Sequence, residues 1–194
     1  EQFRATFEQA AVGLAHTAPD GRLLRVNNRL AEITGYSRQE LLTLRFQDIS
    51  YPEDLAAAQV QIDRLLAGEA AAVTLEKRYR RKDGSLVWVT LKSSLRRNAA
   101  GAPLHFISAV TDISSRKQAE EALRQSEGRL RLALEVTGAV AFVWDVRADA
   151  MVRYFSHEPA LPANPGAPEP LSAVRARVHP EDRASFDAAI AACL

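Results

Sequence analysis

Residues 73–91 read VTLEKRYRRKDGSLVWVTL. Val73, Leu75, Lys77 and Tyr79 alternate with their neighbours, Lys82-Asp83-Gly84-Ser85 carries turn chemistry, and Val87, Val89 and Leu91 alternate on the return. Successive side chains on a strand point to opposite faces, so this period of two around an Asp-Gly turn predicts a β-hairpin. A second turn follows at Asn98 to Gly101, and residues 104–111 read as a further strand. There Leu104, Phe106 and Val110 are expected on one face, with Ile107 and Ala109 on the other.

Toward the N-terminus, residues 1–11 read as a short amphipathic helix carrying Phe3 and Phe7. A hairpin is expected next: Val12, Leu14 and His16 alternate, Pro19-Asp20-Gly21 turns the chain, and Leu24 and Val26 alternate again. Asn27 and Asn28 suit the cap of a helix with Leu30 and Ile33 that ends near Gly35. A short helical stretch with Leu41, Leu42 and Leu44 precedes Phe46. Pro52-Glu53 opens a longer helix containing Asp54, with Leu55, Val60, Ile62, Leu65 and Leu66 as apolar positions and Gly68 at its end. Two strands, a helical excursion and three strands predict an α+β fold: one five-stranded antiparallel sheet with short helices on one face.

Toward the C-terminus, residues from about 113 to 137 read as a long helix rich in Glu, Arg and Ala. Ala119, Leu123, Ser126, Leu130, Ala133 and Thr137 follow a four-three spacing, a modest coiled-coil signal. Val140, Phe142 and Trp144 suggest a strand, residues 158–170 hold five of the nine prolines and read as a loop, and a last helix begins near Pro180. The chain also repeats itself at about 127 residues. Phe3 and Phe7 correspond to Leu130 and Leu134, Glu8 to Glu135, Leu14–Thr17 to Ala141–Trp144, and Tyr51-Pro52-Glu53-Asp54-Leu55 to His179-Pro180-Glu181-Asp182-Arg183. The second copy stops where three strands would follow.

Composition narrows the function classes. A hydrophobic share of 47% and a charged share of 25% are ordinary for a globular chain of 194 residues. A net charge of +1 exerts no general pull on nucleic acid or membrane. Cys193 is the only cysteine, which leaves no internal disulfide or multi-cysteine metal site and suits a reducing, cytoplasmic setting. No apolar run approaches membrane-spanning length, and no signal-peptide pattern is present. Beginning on Glu1, the chain reads as a piece of a longer polypeptide.

Several stretches together resemble the PAS family. Gly21-Arg22-Leu23-Leu24-Arg25-Val26-Asn27 and Gly35-Tyr36-Ser37-Arg38-Gln39-Glu40-Leu41 look like its first half. Tyr51-Pro52-Glu53-Asp54, Arg81-Lys82-Asp83-Gly84-Ser85 and Val87-Trp88-Val89 look like the second half, the PAC motif. Asp112-Ile113-Ser114 resembles the Asp-Ile-Thr exit motif of that family, with Ser in place of Thr, and Arg116 to Glu120 resembles the start of its signalling helix. The resemblance implies a pocket between sheet and helices, a homodimer, and a signal passed along the exit helix to an output domain. That output is commonly a histidine kinase or a cyclic-dinucleotide enzyme, in the same polypeptide but outside this sequence. The implied organisation is a sensor domain at 1–113, a connecting helix at 114–137 and the first part of a second PAS-like domain at 138–194.

Ile33, Phe46, Ile62, Leu66, Tyr79 and Val89 are the pocket-lining candidates, although core filling explains them as well in so small a domain. Tyr79 is the clear polar handle among them. Asp112, Ile113 and Ser114 are expected to relay the signal, and Phe3, Phe7, Leu123 and Leu130 to line a dimer helix. The helical region 28–68 lacks the cysteine that flavin photochemistry needs, and the helix from Pro52 to Leu66 has no histidine for haem. His16, His105, His157 and His179 lack metal-ligand spacing. No cofactor and no catalytic residue is therefore expected, and a small-molecule ligand stays open. Residues 76–97 hold eight Lys or Arg against two acidic residues, read as a solvated hairpin edge and not a nucleic-acid patch. Asp48, Glu53 and Asp54 are read as helix-capping acids. The leading reading is a sensor and relay; the alternatives are a ligand-free dimerisation scaffold and a flavin- or haem-binding redox sensor.

Overall fold

The computed structural model describes residues 2–137, 141–154 and 167–193. The chain divides into two compact units, Glu1–Glu120 and Glu121–Leu194. The first begins with α1 (Gln2–Glu8), β1 (Gly13–Thr17) and β2 (Leu23–Val26). A helical excursion follows: α2 (Asn28–Thr34), α3 (Arg38–Leu41), α4 (Phe46–Ile49), a 3-10 turn (Pro52–Asp54) and α5 (Leu55–Ala67). Then come β3 (Ala72–Arg80), β4 (Leu86–Arg97), β5 (Pro103–Asp112) and α6 (Ser114–Thr137), whose far end lies in the second unit.

The strands form one antiparallel sheet in the order β2-β1-β5-β4-β3, so β1 pairs with the last strand and the two hairpins make a single sheet, as expected. The hairpin at 81–85 closes through the Arg81 N–H to the Ser85 carbonyl at 2.8 Å, with Gly84 at a φ of 85°. Positive φ is why glycine serves there. Register defines the inner face: Tyr79 lies opposite Val87, Lys77 opposite Val89, Leu75 opposite Leu91, Leu91 opposite Val110 and Ser93 opposite Ser108. Helices α2 to α5 cover this face, and Leu30, Ile33, Leu41, Ile49, Val87, Val89 and Val110 form its core.

Local chemistry places the helices. Asn27 caps α2 and Gly35 ends it in the left-handed conformation. Ser37 and Glu40 form a reciprocal capping box on α3. Gly13 lets β1 approach α2 closely, since a Cβ there would stand 3.2 Å from the Leu30 Cα.

Several expectations are corrected. On β1 the inward residues are Gly13, Ala15 and Thr17, the opposite parity from Leu14 and His16. A register shift between His16 and Thr17 lets both Leu23 and Val26 of β2 face inward, leaving Leu24 exposed. Another shift, between Arg96 and Arg97, accompanies the exposure of Leu104, away from Phe106 and Val110. On α5 the buried residues are Ala58 and Leu65, and Val60 faces solvent. The first helix ends at Glu8, and α3 stops at Leu41, before Leu44.

The second unit contains an antiparallel hairpin of β6 (Ala141–Asp145) and β7 (Ala150–Tyr154). After it come α7 (Leu171–Arg177), a 3-10 turn (Pro180–Asp182) and α8 (Arg183–Cys193). Val140, His157 and the proline-rich loop at 158–166 lie outside the described residues. Among the described residues, no helix is long and apolar enough to cross a membrane.

Candidate functional site

The inner face of the sheet and helices α4 and α5 enclose a cavity of about 60 Å³. Its walls are largely apolar, from Leu23, Leu30, Ile49, Leu65, Leu91 and Val110. Thr17, Gln61, Lys77, Tyr79, Ser93 and Ser108 add polar atoms. Ser93 and Ser108 face each other across β4 and β5 with their hydroxyl oxygens 2.6 Å apart. Such a volume lies well below the roughly 300–1,000 Å³ of pockets for drug-sized ligands.

Lys77 dominates the electrostatics. It is 1% exposed, among the largest fully buried side chains of the described residues. Its ammonium donates to the Ser50 hydroxyl oxygen at 2.9 Å, and that hydroxyl donates on to the Phe46 carbonyl at 2.7 Å. The nitrogen also lies 4.9 Å from the Tyr79 ring centroid and 5.2 Å from that of Phe46, within reach of cation–π attraction. Desolvation lowers its pKa to about 8, with the Asp54 carboxylate acting in the opposite direction. Burial also pushes the Tyr79 phenol above its ordinary range.

Contrary to expectation, Asp54 and Glu53, at the head of α5, do not cap that helix. Asp54 makes no side-chain cap and instead accepts from the Arg78 backbone N–H at 2.7 Å and from its guanidinium at 2.7 and 3.0 Å. Those bonds hold the Asp54 carboxyl below its usual range and bind α5 to the edge strand β3. Glu53 adds a contact to Arg78 at 3.2 Å, while Asp48 accepts from the Arg45 backbone N–H.

The exit from the sheet is a separate cluster. Asp112 pairs with Val89 at the end of β5, and its carboxylate accepts from the Ser114 N–H at 2.8 Å. Ile113 donates its N–H to the Trp88 carbonyl at 2.9 Å, and the Ser114 hydroxyl accepts from the Trp88 N–H at 3.2 Å. Arg81 lies 3.4 Å from Asp112 and also donates to the Ile33 carbonyl at 3.0 Å, joining α2, the hairpin turn and the exit. Glu76 on β3 pairs with both Arg116 and Lys117 of α6.

Of the pocket candidates, Phe46, Ile62 and Tyr79 line the cavity. Ile33 and Val89 are buried in the core beside it, and Leu66 packs with Leu65, Val73 and Phe106. Neighbouring side chains take the wall positions these three were expected to hold. Asp112, Ile113 and Ser114 come together at the exit. Phe7 is buried against its own domain, edge-on to His16 at 5.6 Å and beneath the Arg25 guanidinium. Leu123 and Leu130 are exposed on α6; the side chains of Phe3 and Cys193 lie outside the described residues.

Lys77 was missed because its charge grouped it with Arg78, Arg80, Arg81 and Lys82. The same alternation that turns Val73, Leu75 and Tyr79 inward was the available signal. Three more members of that basic run are paired: Arg78 engages Asp54, Arg81 engages Asp112, and Lys82 engages Glu40 at 2.7 Å. His16 and His105 stack at 4.7 Å on the opposite face of the sheet from the cavity. Among the described residues there is no group of three or more His, Cys, Asp or Glu able to hold a metal ion.

Residues 23–110 match the family model described as PAS fold. Over 145 residues the chain is 37% identical to a protein of Escherichia coli named "Probable diguanylate cyclase DgcE", a match covering 75% of this chain and 13% of that protein. It is 29% identical to "Sensor histidine kinase TmoS" of Ectopseudomonas mendocina, covering 66% of this chain and 13% of that one. The chain therefore spans a small part of the length of these relatives. A PAS domain crystal structure from Colwellia psychrerythraea superposes with a TM-score of 0.55 at 17% identity, covering 59% of this chain and 96% of that one. A structure titled as a sensory box histidine kinase/response regulator from Burkholderia thailandensis gives 0.52 at 26% identity, covering 68% and 98%.

Proposed function

The first unit of this chain belongs to the PAS fold family, and from that premise we propose that the chain is a sensory signal-transduction module. An input in or on the first domain changes its sheet, and α6 carries the change to an output domain of the same polypeptide. The output is a histidine kinase or a cyclic-dinucleotide enzyme, in keeping with the named activities of the relatives. The chain itself is regulatory, and its setting is cytoplasmic.

One observation carries this reading: the start of α6 is bonded to the sheet that walls the cavity. Asp112, Ser114 and Trp88 join it through β5 and β4, and Glu76 straps Arg116 and Lys117 from β3. The same strands, β3 to β5, supply Lys77, Tyr79, Leu91, Ser93, Ser108 and Val110 to the cavity. A displacement of the sheet thus reaches the helix through hydrogen bonds and ion pairs, and a ligand that favours one arrangement shifts the balance only by its difference in affinity for the two.

The assigned organisation is a sensor domain at 1–113, a connecting helix at 114–137 and the first part of a second PAS-like domain at 138–194. The duplication draws support from Pro-Glu-Asp forming a 3-10 turn that runs into an α-helix in each unit. The exposed Leu123 and Leu130 fit a homodimer joined along α6. Analytical ultracentrifugation tests that pairing: a dimer is expected, and Leu123→Asp with Leu130→Asp should dissociate it. A chain that is monomeric at every concentration refutes it. The relay is tested in the intact polypeptide, where Glu76→Gln should change output; unchanged output refutes the strap.

A further inference from the structure

We propose that the cavity of the first domain is a receptor site for a small monocarboxylate, held by the Lys77 ammonium. This deepens the sensor reading and rests on it for its consequence, although the binding itself can be measured alone.

An ammonium has three N–H donors and no acceptor. Lys77 uses one on Ser50, and no carboxylate lies within 4 Å of it among the described residues. Asp54 is the acid that acts on it from a distance, and its oxygens are already taken by Arg78 at 2.7 and 3.0 Å. A buried cation without a counter-ion is costly, and an anion entering the cavity supplies the missing partner.

The remaining polar groups favour an acceptor as well. Of the two hydroxyl protons on Ser93 and Ser108, one bridges the pair at 2.6 Å, leaving the other for a different acceptor. Thr17 adds a hydroxyl, and no Asp or Glu lines the cavity. An ionised carboxylate only accepts, whereas its alkyl part suits Leu23, Leu30, Ile49 and Leu91. A single cation matches a single negative charge. A cavity of about 60 Å³ restricts the occupant to a molecule of few heavy atoms, so the short carboxylates are the candidates.

The groups around the ammonium that bear on pH are few. Tyr79 on β3 is pushed upward, Asp54 at the head of α5 is held down, and Asp48 on α4 is turned to the Arg45 N–H. With the Lys77 pKa at about 8 in the empty domain, carboxylate binding weakens as pH rises past that value.

The test uses the 194-residue chain, freed of co-purified small molecules and titrated at constant ionic strength. Acetate, propionate and lactate are compared with acetamide, a neutral isostere, and inorganic phosphate, by thermal shift and by NMR of the cavity residues. A saturable response to the carboxylates is expected, weakened at least tenfold in Lys77→Met and at least fivefold between pH 7 and 10 in the unaltered chain. The pH series stands even if the variant fails to fold. Equal responses to acetamide or phosphate, equal binding by folded Lys77→Met, no loss of affinity at pH 10, or no carboxylate binding at all would overturn the assignment. Hydrogen exchange at residues 114–120 separates the two readings. Binding without a change there supports the carboxylate site and refutes the relay; altered output in Glu76→Gln without carboxylate binding refutes the site alone.

Discussion

The Asp112 carboxylate accepts the backbone N–H of Ser114 at 2.8 Å, so the last residue of the sheet caps the helix that leaves it. Strand and helix therefore share one polar anchor, with Arg81 at 3.4 Å as its neighbour. Replacing Asp112 by Ala removes an N-terminal cap, at a cost of about 1 kcal/mol. The domain should still fold, with faster hydrogen exchange over residues 114–117. In the intact polypeptide, output should weaken or lock, and unaltered output would argue against a relay role for Asp112.

Lys77→Met should stabilise the ligand-free chain. The folded pKa, about 8, lies below the ordinary 10.5, so the unfolded chain binds the proton more tightly. Wild-type stability consequently rises between pH 8 and 10.5, and the cost of holding the charge is fully present below that window. About 1.4 kcal/mol per pH unit puts the gain on removing the ammonium at up to roughly 3 kcal/mol at pH 7. Urea denaturation at pH 7 and pH 10 measures both, and a variant less stable than wild type at pH 7 contradicts the account.

His16 should make the fold sensitive to mild acid. Burial first, then His105 and Arg25, lower its pKa below 6.5. Here too the unfolded chain takes up the proton first, so stability is retained above about pH 6.5 and falls as pH drops below it. His16→Gln should flatten that part of the profile in thermal denaturation. An unchanged slope would assign it to another group.

Asn27 should be among the costliest residues to replace. It is fully buried and uses its whole side chain: Oδ1 accepts from Leu14 and Leu30, and Nδ2 donates to the Phe7 and Val12 carbonyls, all at 2.8 to 3.0 Å. Asn27→Ala leaves those buried groups unpaired and should cost about 3 kcal/mol or more by chemical denaturation. Asn27→Asp keeps the acceptor and loses both donors, so residues 5–8 of α1 should lose hydrogen-exchange protection before the sheet does.

Much of the fold was legible because its signals are local. Turn chemistry at Asp83-Gly84, the Asn27 cap, Gly35 and the period of two in β3 and β4 depend on a few neighbouring residues. Less legible were the positions where pairing changes parity. The register shifts after His16 and after Arg96 alter which faces Leu23, Leu24 and Leu104 occupy, and those shifts belong to pairs of strands.

Reading residues 73–91 in isolation yields a hairpin and an inward row containing Val73, Leu75, Lys77 and Tyr79. It does not yield the environment of that row, because α4, Ser50 and α5 come from outside the stretch, at residues 46–67. Only their packing removes water from the ammonium, draws Asp54 toward Arg78 and leaves a cavity beside it. Backbone periodicity is set over a few residues; the solvation and pairing of a charge depend on every group folded around it.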